Sequence, residues 1–139
     1  MHERFKIVLI DAAFIVDDEY LTTLSPREVT SGMAEIIKYG LTYDMKLFNQ
    51  IKESKEQQIN ELIHRSIEIK NEVVLQDPKE KHLRKILNFG HTLGHAVETY
   101  LLGLGKRAVL HGEAIAVGMI TEAYLAFERN LLEAEELEA

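Results

Sequence analysis

The sequence predicts a mainly α, multi-helix fold entered by one short N-terminal strand, and three observations carry that expectation. One β-branched run, Lys6-Ile7-Val8-Leu9-Ile10-Asp11, stands near the start, and a lone strand cannot make a sheet. Beyond it, apolar residues recur at three- and four-residue intervals, the spacing of one helix face. Between those stretches fall helix starts and stops: Ser-Pro, Gly and Asp-Pro.

In order, the strand at Lys6–Ile10 is expected to join a larger sheet or to pair with another chain. Asp17 to Leu24 is a short helix candidate. Ser25-Pro26-Arg27-Glu28 is a strong helix start, with Ser as N-cap, Pro at the first position and Glu three residues after the cap. That helix is expected to reach Tyr39 and stop at Gly40. Asp44 to Glu53 places Met45, Phe48 and Ile51 at helical spacing, and Gln57 to Val74 does the same with Ile59, Leu62, Ile63 and Ile67. Asp77-Pro78 breaks the pattern. A further helix covers Gly90 to Leu102, and Gly103 to Arg107 is a loop. Gly112 to Phe127 is almost wholly apolar and is expected to be the central buried helix. The acidic tail from Glu128 is expected to be frayed or solvated.

The 139 residues fit a single domain, residues 1–139, long enough to bury one core. The chain is 46% hydrophobic and 28% charged and has no Cys, which excludes disulfides and thiolate metal sites and suits a reducing cytoplasm. Any metal would need His, Asp or Glu ligands. Sixteen basic against twenty-three acidic residues give a net charge of −7, which argues against nucleic acid or an anionic membrane as the main partner. A small anionic substrate fits, because a few local Lys and Arg can line a positive pocket on an acidic protein. The N-terminal Met-His-Glu-Arg-Phe-Lys has no signal-peptide core, and no apolar stretch reaches membrane-spanning length.

The run Leu87-Asn88-Phe89-Gly90-His91-Thr92-Leu93-Gly94-His95-Ala96-Val97-Glu98 carries the chemistry. His91 and His95, at i and i+4, share a helix face with Cβ atoms about 5–6 Å apart. That spacing alone fits a pair of hydrogen-bonded core histidines equally well. Three further features favour a site. Arg84, Asn88, His91 and His95 advance by 4, 3 and 4, a polar stripe at core spacing if one helix carries all four. His111 opens the most apolar helix, where the N-terminus is electropositive. Glu35 sits mid-helix among apolar neighbours with Lys38 at i+3, either a surface ion pair or a buried carboxylate in need of a cation. Glu35, His91 and His111 together offer one carboxylate and two imidazoles, a common ligand set for zinc or a similar divalent ion with positions left open. His95 would then be free for proton transfer or substrate contact. Lys70 follows on a helix, where a solvated lysine is the ordinary outcome, and His2, His64 and His82 stand in polar settings.

On these residues the sequence resembles the C-terminal helical domain of 3-dehydroquinate synthase. The matching elements are Val8-Leu9-Ile10-Asp11, Ser31 to Gly40, Ile69-Lys70 with Val73-Val74 and Asp77, Arg84, Leu87 to Thr92, Gly94-His95-Ala96, Glu98, and Leu110-His111-Gly112-Glu113-Ala114. The resemblance implies the family's helical fold, with Glu35, His91 and His111 as ligands of zinc or cobalt. It places Lys38, Lys70, Arg84, Asn88 and His95 at substrate-contacting positions, with His95, Lys38 and Lys70 also in catalytic roles. It implies a lyase of the shikimate pathway of aromatic amino acid biosynthesis. The family converts the seven-carbon sugar phosphate DAHP to 3-dehydroquinate. NAD transiently oxidises a ring hydroxyl, phosphate is eliminated, the carbonyl is reduced back, and ring opening with an aldol-type closure follows.

The family also has an N-terminal nucleotide-binding domain, and no Gly-rich phosphate loop after a strand occurs here. His82 stands where the family often has glycine. The expectation is therefore a metal- and substrate-binding domain without its NAD site and without turnover of its own. It would form a homo-oligomer or associate with a nucleotide-binding domain. Other sugar-phosphate cyclases such as 2-deoxy-scyllo-inosose synthase share the metal pattern. Iron-dependent alcohol dehydrogenases usually carry aspartate as first ligand, against which Glu35 argues. Outside enzymes, the alternative is a non-catalytic helical interaction module.

Overall fold

The computed structural model describes residues 18–53, 59–103 and 109–138, and the expected strand at Lys6–Ile10 lies outside them, as do Gln57 and the loop residues 104–107. Every regular element among the described residues is helical. A 3-10 helix, Asp18–Thr23, leads into α1 (Pro26–Thr42), α2 (Met45–Glu53) and α3 (Ile59–Gln76). A second 3-10 helix, Leu83–Asn88, precedes α4 (His91–Leu102), α5 (His111–Glu128) and the short α6 (Ala134–Leu137). No helix among the described residues is long and apolar enough to cross a membrane.

Helix α1 starts where the sequence places it. The Glu28 amide donates to Ser25 Oγ at 3.3 Å, and the Ser25 amide donates to Glu28 Oε2 at 2.8 Å, a reciprocal capping box. It does not stop at Gly40, as expected, but continues to Thr42. Gly40 is a packing residue: a Cβ there would lie 3.0 Å from the Phe48 Cα, so its absence lets α2 fold back against α1. Asp44 makes that reversal, its Oδ1 accepting the Lys46 and Leu47 amides at the head of α2 while Arg65 of α3 grips Oδ2 at 2.8–2.9 Å.

Helix α3 ends at the expected Asp77-Pro78 break. The Asp77 carboxylate accepts the amides of Lys81, His82 and Arg84 at 3.0, 2.7 and 3.1 Å and so shapes the following turn. Those backbone bonds, Lys81 and His82 foremost, hold its carboxyl below the usual aspartate range.

Two apolar clusters flank α1. Ile36, Tyr39, Leu47, Leu62, Ile69 and Val73 join α1, α2 and α3, and Ala34, Ile115 and Met119 join α1 to α5 with Ile37 and Phe89 packed alongside. One helix thus presents side chains to both halves, which places Glu35 and Lys38 between them. Helices α4 and α5 pack closely along their length. Gly118 allows it, because a Cβ there would collide with the Gly90 carbonyl oxygen and lie 2.7 Å from the Gly94 nitrogen.

Helix α5 is buried along one face only. Gly112, Ala114, Ile115, Gly118 and Met119 are covered, while Val117, Ile120, Tyr124 and Leu125 are exposed. The expectation of a central buried helix is corrected, because α1 and α4 cover one side of it. The tail from Glu128 is largely exposed, as the solvated alternative has it, and it carries a short helix. Asn130, in the left-handed region at φ 55°, ends α5, and Glu133 and Glu136 cap α6, which packs back on α5.

Candidate metal centre

Three helices bring the expected ligands together. Glu35 projects from the middle of α1, His91 is the first residue of α4, and His111 is the first residue of α5. One nitrogen or oxygen from each lies within 4.8 Å of the others. Glu35 Oε1 is 3.5 Å from His91 Nε2 and 4.0 Å from His111 Nε2. The other carboxylate oxygen, Oε2, accepts from Lys38 Nζ at 2.6 Å.

Hydrogen-bond acceptors stand behind both rings. His91 Nδ1 lies 3.2 Å from the Phe89 carbonyl oxygen, and His111 Nδ1 lies 3.3 Å from Glu98 Oε2. Both partners only accept, so a neutral ring that donates to them carries its proton on Nδ1 and presents a lone pair on Nε2. Glu35 Oε1 is buried and has no hydrogen-bond partner among the described residues. With both rings neutral, three electron-pair donors face one another, an arrangement that a cation among them relieves. Ligand bonds of 2.0–2.2 Å around a tetrahedral zinc would space donor atoms roughly 3.3 Å apart, near the 3.5 and 4.0 Å from Glu35 Oε1 to the two imidazole nitrogens. The residues fit a divalent metal.

The surroundings are asymmetric. Glu35 and His91 are half-buried, whereas the His111 side chain is 45% exposed, so the site opens on the α5 side. Lys38 is 2% exposed, and burial lowers its pKa against the opposing pull of Glu35 and with a further push from Lys70. Burial, assisted by the Glu35 charge, pushes the neighbouring Tyr39 hydroxyl up to about 12. Lys70 is exposed and lines, with Glu35, Gly32 and Ser66, a cleft of about 360 Å³ between α1 and α3.

His95 joins the imidazole group, its ring centroid 5.4 Å from that of His91 and 5.5 Å from that of His111. Its Nδ1 lies 3.2 Å from Glu98 Oε2. Arg84 and Asn88 do not share a helix face with the histidines. They belong to the second 3-10 helix, and Gly90 at φ 78° turns the chain before α4 begins, so the expected four-residue stripe is broken. Both side chains turn to Glu80: Asn88 Nδ2 donates to its Oε1 at 2.6 Å, and Arg84 Nε lies 3.8 Å from its Oε2. His64 and His82 are exposed as expected, and His2 lies outside the described residues.

Several supporting residues were not singled out from the sequence. Arg27 forks onto Glu113 with two 2.6 Å bonds, and Glu113 Oε2 also accepts the Leu110 amide at 2.8 Å. Ser31 Oγ accepts the Gly112 amide at 3.0 Å. These contacts fix the chain on both sides of His111, and the Arg27 bonds, aided by the Leu110 amide, hold the Glu113 carboxyl down at about 2. Glu122 of α5 accepts the Gly90 amide at 2.9 Å and steadies the approach to His91. Ser31, Glu98 and Glu113 stand among the residues that carry the resemblance, but nothing local to them in the chain announces these contacts. Glu98 takes bonds from His111 and then His95, which hold its carboxyl below the usual glutamate range.

Comparison with known proteins points in one direction. Residues 32–139 match the family profile described as 3-dehydroquinate synthase C-terminal. The chain is similar to 3-dehydroquinate synthase of Caldanaerobacter subterraneus subsp. tengcongensis, 45% identical over 130 residues that cover 88% of this chain and 36% of the relative. It is 50% identical over 112 residues to 3-dehydroquinate synthase of Methylacidiphilum infernorum, covering 80% of this chain and 30% of the relative. The corresponding protein of Pseudoalteromonas translucida is 46% identical over 132 residues, 90% of this chain and 36% of the relative. The chain thus spans about a third of the length of the curated relatives it matches. With the profile covering most of the sequence, the chain belongs to the 3-dehydroquinate synthase family and corresponds to its C-terminal helical domain.

Proposed function

We propose that this chain is the metal- and substrate-binding part of a 3-dehydroquinate synthase, the enzyme that converts DAHP to 3-dehydroquinate with loss of phosphate. Glu35, His91 and His111 hold one divalent ion, zinc or cobalt, by one carboxylate oxygen and two imidazole Nε2 atoms. The single observation that supports this most is Glu35 Oε1, buried and without a hydrogen-bond partner among the described residues, opposite the Nε2 atoms of two imidazoles. When bound, the metal acts as a Lewis acid on a substrate hydroxyl.

The chain's own residues supply orientation and proton handling. Lys38 fixes the rotamer of Glu35 through its 2.6 Å bond and adds positive charge under the site. Lys70, Arg84 and Asn88 are the anion and hydroxyl contacts for a phosphorylated keto acid, and guanidinium suits carboxylate or phosphate for its paired donors. His95, with Nδ1 turned to Glu98, offers Nε2 as a proton acceptor beside the substrate. NAD chemistry belongs to the nucleotide-binding domain of the complete enzyme, with which this chain would work in the cytoplasm.

Two assays on the purified 139-residue chain test this reading. A zinc titration should give one site that His91→Ala removes and His64→Ala leaves unchanged. Supplied with NAD, zinc and DAHP, the chain alone should form no 3-dehydroquinate. Absence of zinc binding would sink the metal assignment, and clear turnover would sink the division of labour.

A further inference from the structure

One carboxylate oxygen stands behind two of the three imidazoles. Glu98 Oε2 is 3.3 Å from His111 Nδ1 and 3.2 Å from His95 Nδ1. The Glu98 side chain is 23% exposed, while His95 and His111 are 57% and 45% exposed, so the acceptor lies deeper than the rings it anchors. It reaches across from the second turn of α4 to the first residue of α5, and so ties the two helices together at the mouth of the site.

The geometry points to Glu98 as a positioning residue that holds His95 and His111 together as Nδ1–H tautomers. This rests on the metal reading proposed above for His111, while the tautomer itself does not require a metal. An ionised carboxylate offers lone pairs only, so both rings must donate to it from Nδ1. Each then presents Nε2 as an electron-pair donor, His111 opposite Glu35 Oε1 and His95 at the rim. Left alone in water, imidazole favours the opposite tautomer, with the proton on Nε2, which can neither bind a metal through that atom nor accept a proton there. A single oxygen therefore sets the chemical form of one ligand and of the adjacent proton acceptor. His91 is independent, since its Nδ1 faces the Phe89 carbonyl.

Imidazole nitrogen NMR on the metal-free chain, at a pH well above the ordinary imidazole range, reads this directly. In the unaltered chain His91, His95 and His111 should all carry Nδ1–H. In Glu98→Ala, His95 and His111 should shift toward Nε2–H while His91 stays unchanged as the internal reference. In Glu98→Gln an amide oxygen standing where Oε2 stands can accept from both rings, so both should keep Nδ1–H, and loss of that tautomer in both would count against a role for the acceptor oxygen. Zinc affinity of Glu98→Ala should fall about 10–100-fold, the usual range for loss of a carboxylate behind a ligating histidine. Nε2–H signals for His95 and His111 in the unaltered chain, or unchanged tautomers in a folded Glu98→Ala, would overturn the proposal. Correct tautomers in a chain that binds no zinc would support the role of Glu98 and remove the metal reading instead.

Discussion

Gly118→Ala tests the helix crossing that brings the candidate ligands together. The added methyl would collide with the Gly90 carbonyl oxygen and lie 2.7 Å from the Gly94 nitrogen, both backbone atoms that no side-chain rotation can move. Overpacking of this kind costs about 1–3 kcal/mol, and a rigid backbone neighbour places it toward the upper end. The helical preference of Ala over Gly returns roughly 0.5–1 kcal/mol, leaving a net loss of about 2 kcal/mol. Unfolding entropy for a chain of this length is about 0.3 kcal/mol/K, so the midpoint should fall by roughly 7 °C. The separation acts on the site as well, since α4 carries His91 and α5 carries His111, and zinc affinity should drop with it. Gly32→Ala is the control: it lies on the same kind of helix, but a Cβ there meets nothing within 4 Å. It should raise the midpoint by about 2–3 °C from propensity alone. Thermal unfolding followed by circular dichroism, paired with zinc titration, measures both. A Gly118→Ala chain as stable as Gly32→Ala would refute the packing argument.

Three more perturbations address other parts of the molecule. Ser25→Ala removes the cap of α1 and should cost about 1 kcal/mol, a midpoint loss of roughly 3 °C in the same thermal assay. Zinc at about 100 times its dissociation constant should stabilise the chain by about 2.7 kcal/mol, a rise of roughly 9 °C that a chelator reverses. Glu113 titrates near 2 in the folded chain against an ordinary 4.5, so its contribution is full above the ordinary value and is lost as pH falls from there toward 2. Arg27→Ala should therefore flatten the acid loss of stability across that window in chemical denaturation curves, and an unchanged pH profile would count against the Arg27–Glu113 clamp.

What the sequence revealed depended on how local the determinant is. The capping box of Ser25 and Glu28 and the stop at Asp77-Pro78 are decided by neighbours in the chain, and both lie where expected. Gly40 misled because glycine serves two ends, stopping a helix or admitting a neighbour, and only the position of Phe48 distinguishes them. Helix α5 misled because an apolar run does not say how many of its faces other elements will cover. For the site, Glu35, His91 and His111 were visible as chemical types at suggestive positions, and the fold brings the three within 4.8 Å. The supports of His111 were not visible, since Arg27 and Glu113 are 86 residues apart and Ser31 and Gly112 are 81 apart. Glu80 was also hidden, because its hold on Asn88 depends on a turn whose shape comes from the Asp77 carboxylate.

The central claim is that Glu35, His91 and His111 form one divalent metal site, and a cobalt titration followed by visible absorption tests it most directly. The chain should take up one equivalent, with the absorption of a low-coordinate nitrogen and oxygen site. The signal should disappear in Glu35→Ala, His91→Ala and His111→Ala, and it should persist in His64→Ala. Equal loss in His64→Ala, or no uptake by a folded chain, would contradict it.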